Sequence, residues 1–422
     1  MKTLIIGTGA AGNKAVINLL EQGVVDEEDV LLLNTALTDI PKEYRDKAIK
    51  LSEDFNGCGK ERTVGKAITT GALIQNTLQL KNRILDGDYE KVTIVTSIEG
   101  GTGSGSTATI ADFCSIPKNF KNAENPDGKE ICVEICAFVG FGKDARGLAN
   151  SVDFFYDMKE EYRIQTINNS AFLKEAGNVE PKAEKLANDE LANRMLVTSG
   201  ALLNSGDNID CNNIDPEDLY KLAATTGYTM VRLVEVSEKI KSVDEYNQII
   251  SEAIDSDKSI PFEQPSSRFI AVIANLQKSS RDNIDYRQSV LREKLGEPYD
   301  LFDHIYTDPS RKEFIAIVAS GLMMPRNAIF DMNDRYKEKS SSVNKSRDNF
   351  FTDITSIRGN KEDLMFNMIS KRSKIKAINS GNVSEDFINK YKNDIDISAS
   401  KPKKTIRNNS TLISKSDDNS EY

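Results

Sequence analysis

Through the first 200 residues, short unbroken apolar runs alternate with segments whose apolar positions recur at helical spacing. Thr3–Ile6, Val30–Leu33, Val92–Thr96 and Ile131–Val139 are Val/Ile/Leu-rich runs, each followed by Gly, Asn, Thr or Ser, and Asn13–Gln22 follows the first run as a helix. A strand covered on both faces carries an unbroken run rather than an alternation. Such strands interleaved with helices predict a doubly wound, mostly parallel α/β sheet. Ligands of such sheets sit outside the carboxyl ends of the strands, so the loops there are where function is sought.

The pattern changes further along. Pro181–Leu203 reads as one long helix with Leu186, Leu191, Met195 and Leu202 as apolar positions, a strut between two regions. A second strand-bearing stretch runs from Arg268 to Met324, its clearest strands being Phe269–Ala274 and Phe314–Ala319. After Pro325 the chain becomes polar with charged helical faces, and Lys401–Tyr422 is a low-complexity tail expected to be disordered. The expected organisation is a nucleotide domain over 1–180, a central helix and connection over 181–212, and a smaller second α/β domain over 213–325. A helical extension over 326–395 and a disordered tail over 396–422 complete it.

The 422 residues are 39% apolar and 28% charged, with 55 basic against 65 acidic residues and a net charge of -10. An acidic average of this kind argues against direct high-affinity binding to nucleic acid or to an anionic membrane. The single histidine, His304, excludes histidine-based metal sites and triads. Five cysteines with no CxxC do not make a zinc site; Cys132 and Cys136 share one face of a strand and read as buried thiols. The opening apolar run breaks into glycines and no stretch of 18 apolar residues occurs, so a cytoplasmic location is expected.

Two glycine-rich junctions carry the candidate chemistry. The first strand leads into Gly7-Thr8-Gly9-Ala10-Ala11-Gly12, where the backbone can approach a diphosphate and the following helix offers its free N–H groups. Dinucleotide binding is the default reading of GxGxxG, but it wants an acid at the end of the second strand, where Asn34-Thr35 stands. The second junction, Glu99-Gly100-Gly101-Thr102-Gly103-Ser104-Gly105-Ser106, supplies a second phosphate cradle. It is not a P-loop, because no GK[ST] follows to bring a lysine to the phosphates.

These residues resemble the tubulin/FtsZ superfamily. GGTGSG at 100–105 is similar to its signature loop, and GTGAAGN to its first phosphate loop with Asn13 at the family's asparagine. Asn34-Thr35 matches the loop after the second strand, and Gly57-Cys58-Gly59-Lys60-Glu61-Arg62 the third loop near the γ-phosphate. The resemblance implies GTP or GDP with Mg2+ as cofactors. It places Gly7, Gly9, Ala10, Ala11, Gly12, Asn13, Asn34, Gly57, Gly59, Gly100, Gly101, Thr102, Gly103, Ser104 and Gly105 around the phosphates. Phe141–Arg146 resembles the loop ending in a nucleotide-contacting arginine, here Arg146; the family's acid aligns at Gly142, and Asp144 is its substitute. Asn169 is implied to read the guanine edge with Asn188 or Asp189, on the helix that starts near Leu186. No protein metal ligand is assigned.

Asn213-Ile214-Asp215-Pro216-Glu217-Asp218 resembles the superfamily's catalytic loop. By spacing alone, Asp215 and Asp218 are an acidic pair at a helix entry that favours the helix dipole. By resemblance, Asn213, Asp215 and Asp218 complete the nucleotide site of the next subunit, so hydrolysis needs a head-to-tail contact that builds filaments. Glu99 replaces a glycine of the bacterial division protein, and the long polar extension looks more like the plasmid- and phage-borne members that move DNA. The acid-free segment Lys401–Ser410, with Lys401, Lys403, Lys404 and Arg407, would then engage a DNA-binding adaptor. A division or phage-positioning relative, an inactive structural relative and an NAD-dependent oxidoreductase are the alternatives.

Overall fold

The computed structural model describes residues 1–158, 161–203, 214–262, 265–347 and 384–390. In its first part, β1 (Thr3–Thr8), α1 (Gly9–Glu21), β2 (Val30–Asn34), β3 (Ala48–Lys50), α2 (Arg62–Ile74), α3 (Leu80–Asp86), β4 (Lys91–Ser97), α4 (Gly101–Cys114), β5 (Cys132–Val139), α5 (Ala145–Asp157) and β6 (Arg163–Asn168) alternate as the apolar pattern predicts. These six strands are all parallel, in the order β3-β2-β1-β4-β5-β6. The order reverses between β1 and β4, which opens a crevice at their carboxyl ends.

α6 (Glu180–Thr198), α7 (Pro216–Ala224), β7 (Gly227–Glu235), α8 (Val243–Asp255), β8 (Phe269–Asn275), α9 (Lys278–Arg281), α10 (Ser289–Leu295), β9 (Asp300–Tyr306) and β10 (Phe314–Leu322) follow. Their strands extend the same sheet to ten, in the order β7-β10-β8-β9, with β10 antiparallel to both neighbours. The two parts are joined by a short parallel pairing, Arg163 with Gly227 and Ile164 with Tyr228. The expected strands at Phe269–Ala274 and Phe314–Ala319 are β8 and β10, side by side. α11 (Arg326–Arg347) packs along α5, and α12 (Glu385–Lys390) seats Phe387 edge-on against Phe113, with ring centroids 5.6 Å apart. The rest of the expected extension and the whole tail lie outside the described residues.

The central helix is shorter than its apolar pattern suggests. Ser199 caps it and Gly200 takes a left-handed conformation (φ 81), which turns the chain before Leu202 and Leu203. Ala183, Ala187, Leu191 and Met195 pack under the first part of the sheet, whereas Val197 belongs to the core of the second. Arg194, fully buried, fixes the helix: it donates to Glu190 (2.9 Å), to the Thr166 carbonyl (2.8 Å) and to Asp257 (3.2 Å).

α1 begins earlier than expected, at Gly9 rather than Asn13, and α4 likewise begins within its junction, because each glycine junction is itself the first turn of its helix. The glycines allow close backbone contact. A Cβ on Gly12 would lie 2.3 Å from the Val95 carbonyl oxygen of β4, and one on Gly105 2.3 Å from the Arg62 carbonyl oxygen of α2. A Cβ on Gly9 would lie 2.9 Å from the Gly103 amide nitrogen, so the two junctions touch.

A charged cluster is buried within the sheet. Glu134 on β5 accepts from Lys91 (2.6 Å), Arg163 (2.7 Å) and Gln165 (2.6 Å). Burial by itself would push this carboxyl up; the Lys91 ammonium and Arg163 guanidinium outweigh it and hold it well below the usual carboxylate range. Arg163 also donates to the Leu222 carbonyl of α7 and to Ser320 of β10 (3.1 Å), so the cluster ties the two parts together.

Two outcomes are expected. Glu134→Gln leaves two buried cations without their anion and should cost about 3–5 kcal/mol in urea unfolding followed by circular dichroism. The wild-type contribution should be present above about pH 4, the unfolded carboxyl value, and be lost as pH falls below it toward the depressed folded value. Gly12→Ala forces a methyl against backbone and should cost about 1–3 kcal/mol. Gly23→Ala, left-handed (φ 67) but with nothing near its Cβ, should cost only about 1 kcal/mol of backbone strain; equal losses would refute the close-packing account.

Candidate functional site

A cavity of about 300 Å³ opens at the carboxyl ends of β1, β2 and β4, in the crevice where the strand order reverses. Of the residues singled out by sequence, Gly9, Ala10, Ala11, Asn34, Gly57, Gly59, Gly100, Gly101, Thr102 and Gly103 line it. Thr8, Thr35, Asp39, Cys58, Lys60 and Ser97 also line it. Thr8, Thr35, Cys58 and Lys60 belong to the same motif segments, whereas Asp39 and Ser97 lie outside them.

The cavity suits an anion for a reason visible in its helices. α1 begins after Thr8 and α4 after Gly100; neither N-cap makes a side-chain capping bond, and neither first turn contains an acid. The first N–H groups of both helices lack intrahelical acceptors, and both dipoles present their positive ends at the same crevice. Thr8 Oγ1 is buried, with no hydrogen-bond partner among the described residues. An oxygen-rich ligand would satisfy the hydroxyl and the free amides together.

At the start of α4 stands a cluster of small polar side chains. Thr35 Oγ1 and Thr102 Oγ1 are 2.8 Å apart, and Thr102 donates to Cys58 Sγ at 3.3 Å. Burial pushes the Cys58 thiol up, so it stays protonated and is not a nucleophile. Asp39 is the one carboxylate in the lining and Lys60 the one cation.

The remaining phosphate candidates have other duties. Gly7 lies in β1 with no room for a Cβ beside Asn13, and Asn13 is buried, donating to the Leu33 carbonyl at 3.0 Å. Gly12 and Gly105 are close-packing positions. Ser104 donates back to the Gly100 carbonyl at 2.6 Å. These residues shape the cavity without lining it.

The loop before α5 closes over the third glycine segment. Asp144 is the N-cap of α5, accepting from the Gly147 amide at 2.7 Å, and pairs with Lys60 at 2.6 Å. The hydrogen bond from Lys60 holds the Asp144 carboxyl below the usual range. Arg146 pairs with Glu61 and donates to the Gly59 carbonyl at 3.2 Å. Gly142, where the superfamily's acid aligns, donates its amide to Glu99 at 2.8 Å. Burial pushes the Glu99 carboxyl up. A carboxylate therefore reaches this loop from the other glycine junction, a contact that the linear motif could not reveal.

Further round the sheet edge, Asn169 follows β6 and is buried, its Oδ1 without a protein partner. Asn188 and Asp189 are half-buried on α6. Asp189 accepts from Gln22 (2.7 Å) and Asn18 (3.3 Å) of α1, so its carboxylate already serves the α1–α6 contact. None of the three lines the cavity.

Asp215 and Asp218 stand elsewhere. They form a reciprocal cap on α7: Asp215 accepts from the Asp218 amide (2.9 Å), and Asp218 accepts from the Asp215 amide (3.3 Å). This helix packs where β6 begins, its Leu222 carbonyl bonded to Arg163, whereas the cavity lies where β1, β2 and β4 end. The helix-entry role read from spacing is thus realised. Asn213 lies outside the described residues. Among the described residues, no group of three metal-ligating side chains occurs and no helix is long and apolar enough to cross a membrane.

No family model matches the chain, and no curated protein sequence matches it. Solved structures do. TubZ of Clostridium botulinum phage c-st is 15% identical with a TM-score of 0.57, over 81% of this chain and 100% of that one. A GTPγS-form protofilament of Bacillus thuringiensis serovar israelensis TubZ is 15% identical with a TM-score of 0.61, over 83% and 95%. CetZ1 from Haloferax volcanii, a GDP-bound monomer, is 17% identical with a TM-score of 0.58, over 81% and 100%. Likeness at such low identity is a likeness of architecture, and it covers more than four-fifths of this chain: the chain has the tubulin/FtsZ fold shared by the TubZ and CetZ proteins.

Proposed function

We propose that this protein is a cytoplasmic, filament-forming GTPase that binds GTP or GDP with Mg2+ and hydrolyses GTP where one subunit meets the next. The observation that carries the reading is the cavity faced by two uncapped helix N-termini, α1 following Thr8 and α4 following Gly100. Backbone amides in that arrangement would hold phosphate oxygens without an arginine clamp. GDP- and GTPγS-bound proteins of the same fold, some of them protofilaments, support the choice of nucleotide and of assembly. With Asp39 the only carboxylate in the lining, Mg2+ would be held chiefly by the phosphates, with Asp39 and the Thr35 and Thr102 hydroxyls within its surroundings.

The catalytic half of the proposal rests on separation. The Asp215–Asp218 cap is on a helix at the beginning of β6, and the cavity is at the far ends of the strands, so one chain does not bring them together. Stacking subunits head to tail would. Either carboxylate could then orient or deprotonate the attacking water. Asn169, Asn188 and Asp189 are our candidates for guanine recognition; Asn169 Oδ1 is a buried acceptor without a hydrogen-bond partner among the described residues. We further propose DNA segregation as the task, through a DNA-binding adaptor on the basic segment around Lys401, Lys403, Lys404 and Arg407.

Asp215→Asn and Asp218→Asn are the informative variants, because asparagine can preserve the helix cap while removing the charge. Each should retain GTP binding, lower phosphate release by about a hundredfold or more, and leave filaments that persist in light scattering after GTP is limiting. Ordinary turnover in both variants would sink catalysis in trans. Absence of any GTP-dependent, EDTA-reversible scattering would sink the filament reading.

A further inference from the structure

We infer, resting on the guanine-nucleotide reading above, that Arg335 and Lys339 of α11 are positioning residues for the cavity. From the C-terminal extension they brace the loop that closes over it. Neither residue lines the cavity itself.

The loop between β5 and α5 is joined to the cavity on one side. Asp144 pairs with Lys60 at 2.6 Å and Arg146 donates to the Gly59 carbonyl at 3.2 Å, and both partners line the cavity. Gly142 donates its amide to Glu99 at 2.8 Å. Asn150 of α5 donates to the Glu99 carbonyl at 3.0 Å, one residue before the Gly100 after which α4 starts. The loop has no regular structure of its own between Gly140 and Lys143. Its pair to Lys60 is exposed (55% and 46%), and a pair so exposed fixes little.

α11 supplies the other side. Ala328, Met332, Arg335 and Lys339 recur at helical spacing and share one face. The first two pack with Ile329 and Tyr336 on the main apolar core. The last two carry the same stripe on to the loop. Lys339 donates to the Lys143 carbonyl at 3.1 Å. Arg335 lies over Gly142, so close that a Cβ on that residue would collide with the guanidinium. Gly142 is also left-handed (φ 62), so the position uses both the freedom and the missing side chain of glycine. Burial pushes the Glu99 carboxyl up; the Gly142 amide and the Arg335 guanidinium oppose that push from the same side as the loop.

A loop already held in place loses less freedom when a ligand arrives, so affinity rises without any new contact to the ligand. The coupling is reciprocal: nucleotide in the cavity stabilises the seat of α11 in return. Because the brace acts on the cavity wall, it favours neither nucleotide over the other.

Calorimetric titration of the full chain with GTPγS and with GDP, each with Mg2+, tests the brace. Arg335→Ala should weaken both nucleotides about fivefold at an unchanged urea midpoint, and Arg335→Lys should recover part of the loss. Lys337→Ala, which breaks an exposed pair with Asp334 within the same helix (3.0 Å), should leave both within about twofold. Gly142→Ala should also weaken both. In the double variant with Arg335→Ala the loss should fall well short of the sum, since the two changes break one contact. Saturating GTPγS should slow hydrogen exchange across residues 326–339 in the wild type and not in Arg335→Ala. No weakening of either nucleotide in Arg335→Ala, or fully additive losses in the double variant, overturns the brace. Wild-type chain that binds neither nucleotide overturns the guanine-nucleotide reading instead, and the brace with it.

Discussion

Backbone meets backbone at four places around the crevice, and each contact needs a glycine. Gly12 lies against the Val95 carbonyl, Gly9 against the Gly103 amide, Gly65 against the Gly101 carbonyl and Gly105 against the Arg62 carbonyl, with no room for a methyl at any of them. These contacts bring the N-termini of α1 and α4 to one point. A helix start exposes N–H groups that its own turn cannot satisfy, and two such starts converging make a patch of positive potential from neutral residues. The acidic surface of the chain is no obstacle, because the anion would be held by dipoles.

The second half of the molecule shares one apolar core with the first and is pinned to it by polar contacts. β6 and β7 pair over two registered positions only, and the joint is reinforced from below by Arg163, which reaches Glu134, Ser320 and the Leu222 carbonyl. Arg194 does the same for the central helix through Thr166, Glu190 and Asp257. Buried charges at such joints are strongly directional: they fix one arrangement of the two parts more sharply than apolar contact would. Arg163 ties the C-terminal part of α7 to the sheet whose other end forms the cavity.

Much of this was legible. The apolar runs marked β1, β2, β4, β5, β8 and β10, since each is buried on both faces and mostly apolar, the buried Glu134 of β5 being paired with Lys91 and Arg163. β6 was not legible, because RIQTIN has charged or polar residues at alternate positions and resembles a surface segment. Arg163 and Gln165 are buried only because Glu134, nearly thirty residues earlier, is there to receive them. Lys60 was passed over for a similar reason. As a letter in a glycine-bearing loop it had no role; its place at the cavity depends on the fold of α5 above it.

The sequence by itself determined the local chemistry: where backbones could come close, where helices could start without side-chain caps, and which strands had to be buried. Those properties follow from the size and polarity of adjacent residues. The tertiary structure alone decided which glycines line the cavity and which merely permit packing. It alone decided that Asp189 serves α1 and that Glu99 answers Gly142. It also put α7, which carries the Asp215–Asp218 cap, at the opposite end of the sheet from the cavity. Each of these depends on a partner distant in the chain, and a one-dimensional pattern carries no term for the distance between residues that meet only when the sheet is assembled.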